Sequence, residues 1–321
     1  MPAISGPVIA LDVGGTTIKG AIVDEQYRFT QTDTWPTPRS EGPQAVVDAV
    51  CSAIDTLAQQ ARSAVAVGLV VPGLVDDRAG TALFSENIGW RDVPFRELAA
   101  DISGLPVGFG HDVRAAGLAE RTLGAARGVD DVLFLPIGTG ISGAMVVSGC
   151  AIENKYAGEI GHIDVGSGEH CACGAFGCLE TIASGPSIAR RYTQASGRSA
   201  AEAREVVALM AAGDRTAELV WNEAVYALAR ALVTYISLLA PELIVIGGGV
   251  SEAGPVLLEP LRRRLGELLV WQQEPRIVLS AFGARAGLLG AAWSAHSAID
   301  STSDRIPIEG AREKTRKNNH A

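Results

Sequence analysis

One stretch, AGEIGHIDVGSGEHCACGAFGCLE from Ala157 to Glu180, limits what this chain can fold into more than any other. It gathers His162, Cys171, Cys173 and Cys178 into a single Gly-rich run. Cys171 stands nine residues after His162, Cys173 two further on and Cys178 five beyond that. One imidazole and three thiolates make the N/S set that a tetrahedral structural Zn²⁺ takes. Small residues between the ligands let a short loop wrap around an ion. The spacing holds no CxxC pair, so a Gly-rich surface loop with idle cysteines is the competing reading.

At 321 residues the chain has room for two domains of ordinary size. Hydrophobic residues make up 47% and charged residues 20%, enough apolar material for a large core. No apolar run reaches the roughly 18–20 residues that span a bilayer. The start, MPAISGPVIALDVGG, has no basic segment, so no signal peptide is expected. Outside the cluster only Cys51 and Cys150 occur, which suits a metal site in a reducing cytoplasm better than a disulfide scaffold. Net charge is −9; residues 312–321 carry +3, leaving −12 on the rest. An acidic body argues against general nucleic-acid binding. The basic tail reads as a solvated end.

Val8 to Asp12 is an apolar run ending in Asp-Val-Gly-Gly-Thr-Thr, and Ile18 to Asp24 is apolar again. This predicts strand, tight glycine turn, strand, then a third strand over 28–34. Gly14 and Gly15 let backbone N–H groups approach a phosphate, Thr16 and Thr17 add hydroxyls, and Lys19 adds charge. Asp12 can hold Mg²⁺ directly or through water. The loop is not a Walker A motif, which needs GxxxxGK[ST] before a helix, and a plain hairpin turn satisfies the same letters. Asp130 to Ile137, Gly138-Thr139-Gly140 and Ser142 to Val147 repeat the strand–turn–strand order, so two halves could grip one nucleotide from both sides. Leu243 to Ile246 runs into Gly247-Gly248-Gly249, where a nucleotide can lie against bare backbone or the chain can simply turn. Helices are expected over about 43–61, 113–123, 186–195, 201–210, 215–239 and 287–298, and further strands over 65–71, 107–110 and 276–279. Asn87 lies in a loop, SENIGWRD. Asp112 closes a strand and opens a helix, the place of an ordinary N-cap.

Taken together, these motifs resemble the ROK family (repressors, open reading frames and kinases). GEIGH, the four candidate ligands and GCLE resemble its zinc motif. DVGGTTIKGAIVD and LPIGTGISGAMVVSG resemble its two phosphate loops, with Ser142 where a further Gly is common. PELIVIGGGVSEAG is similar to its adenosine-binding segment. SENIGWRD is similar to the NLGW loop that closes over the sugar in ROK glucokinases, where the Asn bonds a hydroxyl. Asp112 stands where ROK kinases carry their catalytic Asp, usually between two Asn residues. Here His111-Asp112-Val113-Arg114 departs at both, and GHDVRAAGLAE resembles the variant of actinobacterial glucokinases. The resemblance covers roughly residues 7–297, with the motifs in order.

The resemblance implies an α/β protein of the actin-like ATPase (ribonuclease H-like) fold, with two α/β domains around a central cleft. Residues 1–112 would form the first, joined by a returning helix at about 287–298. Residues 113–286, with the zinc motif, would form the second, and 299–321 a disordered tail. It implies ATP-dependent phosphorylation of a hexose, glucose to glucose 6-phosphate, with Mg²⁺ and with Asp112 as general base. Asn87, Glu159, His162 and Glu180 would bond other sugar hydroxyls. His162 would use one ring nitrogen for zinc and face the sugar with the other. A homodimer or homotetramer is implied, and no membrane or nucleic-acid partner. Glu169 receives no role. Three alternatives stay open: another sugar (mannose, fructose, N-acetylglucosamine or N-acetylmannosamine), polyphosphate as donor, and a sugar sensor without turnover. A regulator with a preceding helix-turn-helix is disfavoured, because the first phosphate loop begins at Asp12.

Overall fold

The computed structural model describes residues 6–303. Five strands build the first sheet: β1 (Val8–Val13), β2 (Thr17–Val23), β3 (Phe29–Pro36), β4 (Ala66–Val71) and β8 (Val107–His111), in the order β3-β2-β1-β4-β8. β1 to β3 are antiparallel neighbours, whereas β4 runs parallel to β1 and β8 parallel to β4. Every residue of β4, AVGLVV, is buried, as expected of a parallel strand covered on both faces. β3, at the edge, alternates half-buried and exposed positions. Helix α1 (Pro43–Gln60) starts on Pro43 and buries Val46, Val47, Val50, Ile54 and Leu57 against one face.

Between β4 and β8 the chain makes a small sheet of β5 (Leu74–Asp76), β6 (Thr81–Phe84) and β7 (Arg91–Val93), followed by helix α2 (Phe95–Ser103). The sequence reading found neither. Strands of three and four residues are too short to show a periodicity.

Helix α3 (Asp112–Leu123) leads to the second sheet: β9 (Val132–Pro136), β10 (Ala144–Val147), β11 (Cys150–Ala151), β12 (Leu243–Gly247) and β13 (Arg276–Leu279), in the order β11-β10-β9-β12-β13. Again the first three are antiparallel and the last two parallel to β9. Order and directions thus match the first sheet strand for strand. What differs is the connection into the fourth strand. In the first sheet it is α1; in the second it is the cysteine loop followed by α4 (Glu180–Ala183), α5 (Gly185–Ser196), α6 (Ala203–Ala211) and α7 (Arg215–Leu239). Helix α8 (Pro255–Leu268) precedes β13.

Helix α9 (Ala286–Ser303) packs across β1, β4 and β8 and against α3. It runs past the expected end at Ala298, so residues 299–303 are helical; the rest of the expected tail lies outside the described residues. A Cβ on Gly68 or Gly108 would fall 1.8 or 2.0 Å from a backbone oxygen of α9, so only glycine lets the helix sit this close. On its other side α3 places Ala116 among Val132, Phe134 and Ala144 of the second sheet. The layers therefore run first sheet, α9, α3, second sheet.

Candidate active site

Four strand ends carry the candidate residues: β1 leads into Gly14–Thr17, β8 into Asp112, β9 into Gly138–Gly140 and β12 into Gly247–Gly249. In open parallel sheets, ligands settle at such carboxyl ends. The second and third loops are bonded to each other: Ile137 donates to the Gly247 carbonyl at 2.9 Å, and Val250 to the Ile137 carbonyl at 3.0 Å. Gly248, at φ 77°, passes so close that a Cβ would stand 2.4 Å from the Ile137 oxygen.

Not every expected donor is free. The Gly14 N–H closes its own turn on the Thr17 carbonyl at 2.9 Å, and the Gly138 N–H closes on Gly140 at 3.0 Å. Neither N–H is therefore left to meet a ligand at these turns. The Lys19 ammonium gives one hydrogen bond to the Ala284 carbonyl at 3.1 Å, just ahead of α9. A cation the sequence reading missed, Arg39, has its guanidinium 4.0 Å from where a Gly15 Cβ would be.

The acidic centre is formed by Asp12, Asp112 and Glu159. Burial pushes the Asp112 carboxyl up to about 7, and nearby Glu159 adds to the rise; the Val113 N–H and Arg114 oppose it. Burial, and then the Asp112 charge, push Asp12 up to about 6 against Lys19. Asp112 is not the helix cap: His111 is, its Nδ1 accepting from the Arg114 N–H at 3.4 Å. Asp112 is the first helical residue. Its Oδ1 accepts from the Val113 N–H at 2.7 Å and lies 3.4 Å from His111 Nδ1. Its own N–H is a second, lesser donor to the carboxylate, and a quarter of the side chain stays open. Burial, then the Arg114 charge, hold His111 down at about 4, so its ring is neutral at pH 7.

Glu180 accepts from the Ile141 N–H at 2.8 Å and lies against Gly140, which ties it to the second glycine loop. Glu159 lies close enough to Tyr235 to raise that phenol, after burial. Asn87 stands exposed on the turn between β6 and β7, and no hydrogen bond joins it to the acidic centre among the described residues.

His162, Cys171, Cys173 and Cys178 bring their ligand atoms within 4.8 Å of one another. His162 Nδ1 is 3.7 Å from Cys171 Sγ, and the sulfurs of Cys173 and Cys178 are 3.7 Å apart. Bonds of about 2.3 Å to sulfur and about 2.0–2.1 Å to nitrogen around a tetrahedral Zn²⁺ place neighbouring ligand atoms roughly 3.6–3.8 Å apart. The donor set therefore fits that ion, with Nδ1 as the ligating nitrogen and Nε2 left over. None of the five cysteines is in a disulfide. Glu169, without a role in the sequence, anchors this loop to α5: it bonds Arg190 at 2.6 Å and lies 3.5 Å from Arg191. Among the described residues, no helix is long and apolar enough to cross a membrane.

The profile of the ROK family matches residues 8–298. The glucokinase of Streptomyces coelicolor is 32% identical over 312 residues, covering 89% of this chain and 96% of that protein. The glucokinase of Thermotoga maritima is 33% identical over 304 residues, covering 89% and 96%. Among solved structures, a ROK family glucokinase from Streptomyces griseus in complex with glucose and AMPPNP superposes with a TM-score of 0.81 at 31% identity. That match covers 91% of this chain and 100% of that one.

Proposed function

The chain belongs to the ROK family, and on that premise we propose how its site works as an ATP-dependent hexose kinase acting on glucose. Its fold is the actin-like ATPase fold of the ROK sugar kinases. The observation that carries the mechanism is Asp112, a carboxyl raised to about 7 that keeps an open edge beside Asp12 and Glu159.

A sugar hydroxyl held beside Asp112 gives its proton to the open carboxylate oxygen as its own oxygen bonds the γ-phosphorus of ATP; the bond to the β–γ bridging oxygen breaks and ADP leaves with its electron pair. A base whose affinity lies near neutral pH both ionises at working pH and takes up a proton readily. Glu159, Glu180, Asn87 and His162 Nε2 would hold the remaining hydroxyls. Gly15, Thr16, Thr17, Thr139, Gly140 and the Gly247–Gly249 segment would cradle the nucleotide, with Lys19 and Arg39 adding positive charge. Asp12, with no hydrogen-bond partner among the described residues, would hold Mg²⁺ directly or through water; the ion neutralises charge on the transferring group. His162 and the three cysteines would hold Zn²⁺, a structural knot that fixes the sugar-facing loop.

The division 1–112 plus α9, and 113–286, is taken as two domains that close on the sugar and exclude water, which competes as acceptor. A homodimer or homotetramer in the cytoplasm completes the reading. It is tested by ADP release from ATP and Mg²⁺ over a panel of hexoses. Saturable turnover on glucose supports it. Turnover only on an N-acetylated sugar keeps the chemistry and replaces the substrate, and turnover only with polyphosphate replaces the donor.

A further inference from the structure

Two residues after the base, α3 carries Arg114, whose side chain is only 11% exposed. Its Nη2 donates to both oxygens of Asp77, at 2.9 and 3.1 Å. Asp77 is itself a fixed point. Arg96 of α2 donates to the carbonyls of Asp77 and Arg78, and the Gly80 N–H closes the turn on Asp76 at 2.9 Å. The Asp77 carboxylate lies over Gly110, 3.8 Å from where a Cβ would stand. The neighbouring Asp76 faces Lys155 at 3.8 Å, four residues ahead of Glu159. The turn after β5 thus reaches both the base-bearing helix and the loop that carries Glu159.

Arg114 is poorly placed to act as packing. It lines two cavities, of about 480 and 50 Å³, together with Asp77, Leu118 and Glu153. Its Nε is buried with no partner among the described residues. Without Arg114, Asp77 keeps solvent access, at 36% exposure, so no stranded buried charge is left behind. Its backbone N–H caps onto His111, and its guanidinium lies close enough to Asp112 to lower that carboxyl, opposite in sign to Glu159, which raises it.

We propose that Arg114, clamped by Asp77, is a positioning residue for phosphoryl transfer: it fixes the first turn of α3, and so the angle at which Asp112 meets the sugar hydroxyl. This rests on the kinase reading above. A displacement of about 1 Å at a reacting group can cost on the order of 10²-fold in rate.

The test is steady-state kinetics with ATP, Mg²⁺ and glucose on wild type, Arg114→Met, Arg114→Lys, Asp77→Asn and the Arg114→Met/Asp77→Asn double variant, each with a thermal melt. Arg114→Met should lower kcat by about 10- to 100-fold while KM for ATP stays within about threefold. Arg114→Lys should recover most of kcat. The double variant should be no worse than the worse single one, since both break one link. Unchanged kcat in Arg114→Met and Asp77→Asn beside an active wild type overturns the inference alone. So do fully additive losses, equal damage from Lys and Met, or a kcat loss matched by a collapse of the melt. A wild type inactive on every hexose, with ATP and with polyphosphate alike, overturns the kinase reading, and the inference with it.

Discussion

Helix α3 carries two carboxylates, Asp112 in its first turn and Glu120 in its last, and they have opposite surroundings. Glu120 is fully buried and accepts from four donors: the Ser280 hydroxyl and the N–H groups of Ala125, Ala281 and Phe282, at 2.9 to 3.2 Å for the three amides. Asp112 has as backbone donors only the Val113 N–H and its own, and it keeps an open edge. The matching sheets make the contrast sharper. β8 and β13 occupy equivalent places, last in their sheets. The end of β8 delivers a carboxylate, whereas the segment after β13 wraps one. A buried carboxylate with every lone pair occupied is a joint; one left short of donors keeps its affinity for a proton and can do chemistry.

The largest effect that can break this comparison is on turnover. Asp112→Asn should lower kcat by about 10²–10⁴-fold while calorimetry still detects glucose binding. Turnover near wild type would remove Asp112 as the base. Next comes the loop that holds the sugar-facing residues. Cys173→Ala should release zinc, read by metal analysis, and cost about 10–100-fold in kcat/KM for glucose. Full zinc occupancy in that variant would refute the cluster. Smaller, and on stability alone, is Glu120→Gln. Its amide would face N–H donors, so it should cost about 1–3 kcal/mol in a denaturant titration and leave kcat of the folded protein unchanged. Opposite in sign is the effect of Asp112→Asn on the melt. A carboxyl raised from 3.8 to about 7 favours the folded state at low pH and loses that stability as pH rises through 7. The variant should therefore melt higher than wild type at pH 8.

The contrast between the two carboxylates also marks what the sequence makes legible. The two strand–glycine–strand units, the buried parallel strands and the His-Cys cluster all lie within short windows, where apolar runs and fixed spacings declare themselves. The joints do not. Glu120 meets Ser280 across 160 positions, Arg114 meets Asp77 across 37, and Arg190 meets Glu169 across 21. No periodicity reports such pairs. Asp112 is intermediate: its place before an apolar helix is visible, but the same letters describe a cap. Only the structure passes that task to His111 and leaves the Asp112 carboxylate an open edge. Likewise, the glycines of the first loop are legible as a turn, but not that the Gly14 N–H is consumed in closing it.

The central claim, that Asp112 works because it is short of donors, is met most directly by the pH dependence of kcat/KM for glucose. Asp112 must be ionised to take the proton, and its carboxyl lies at about 7. The account predicts a rate that rises with pH to a plateau above 7 and falls about tenfold per unit below it. A profile flat down to pH 5, with the enzyme still folded, would contradict it.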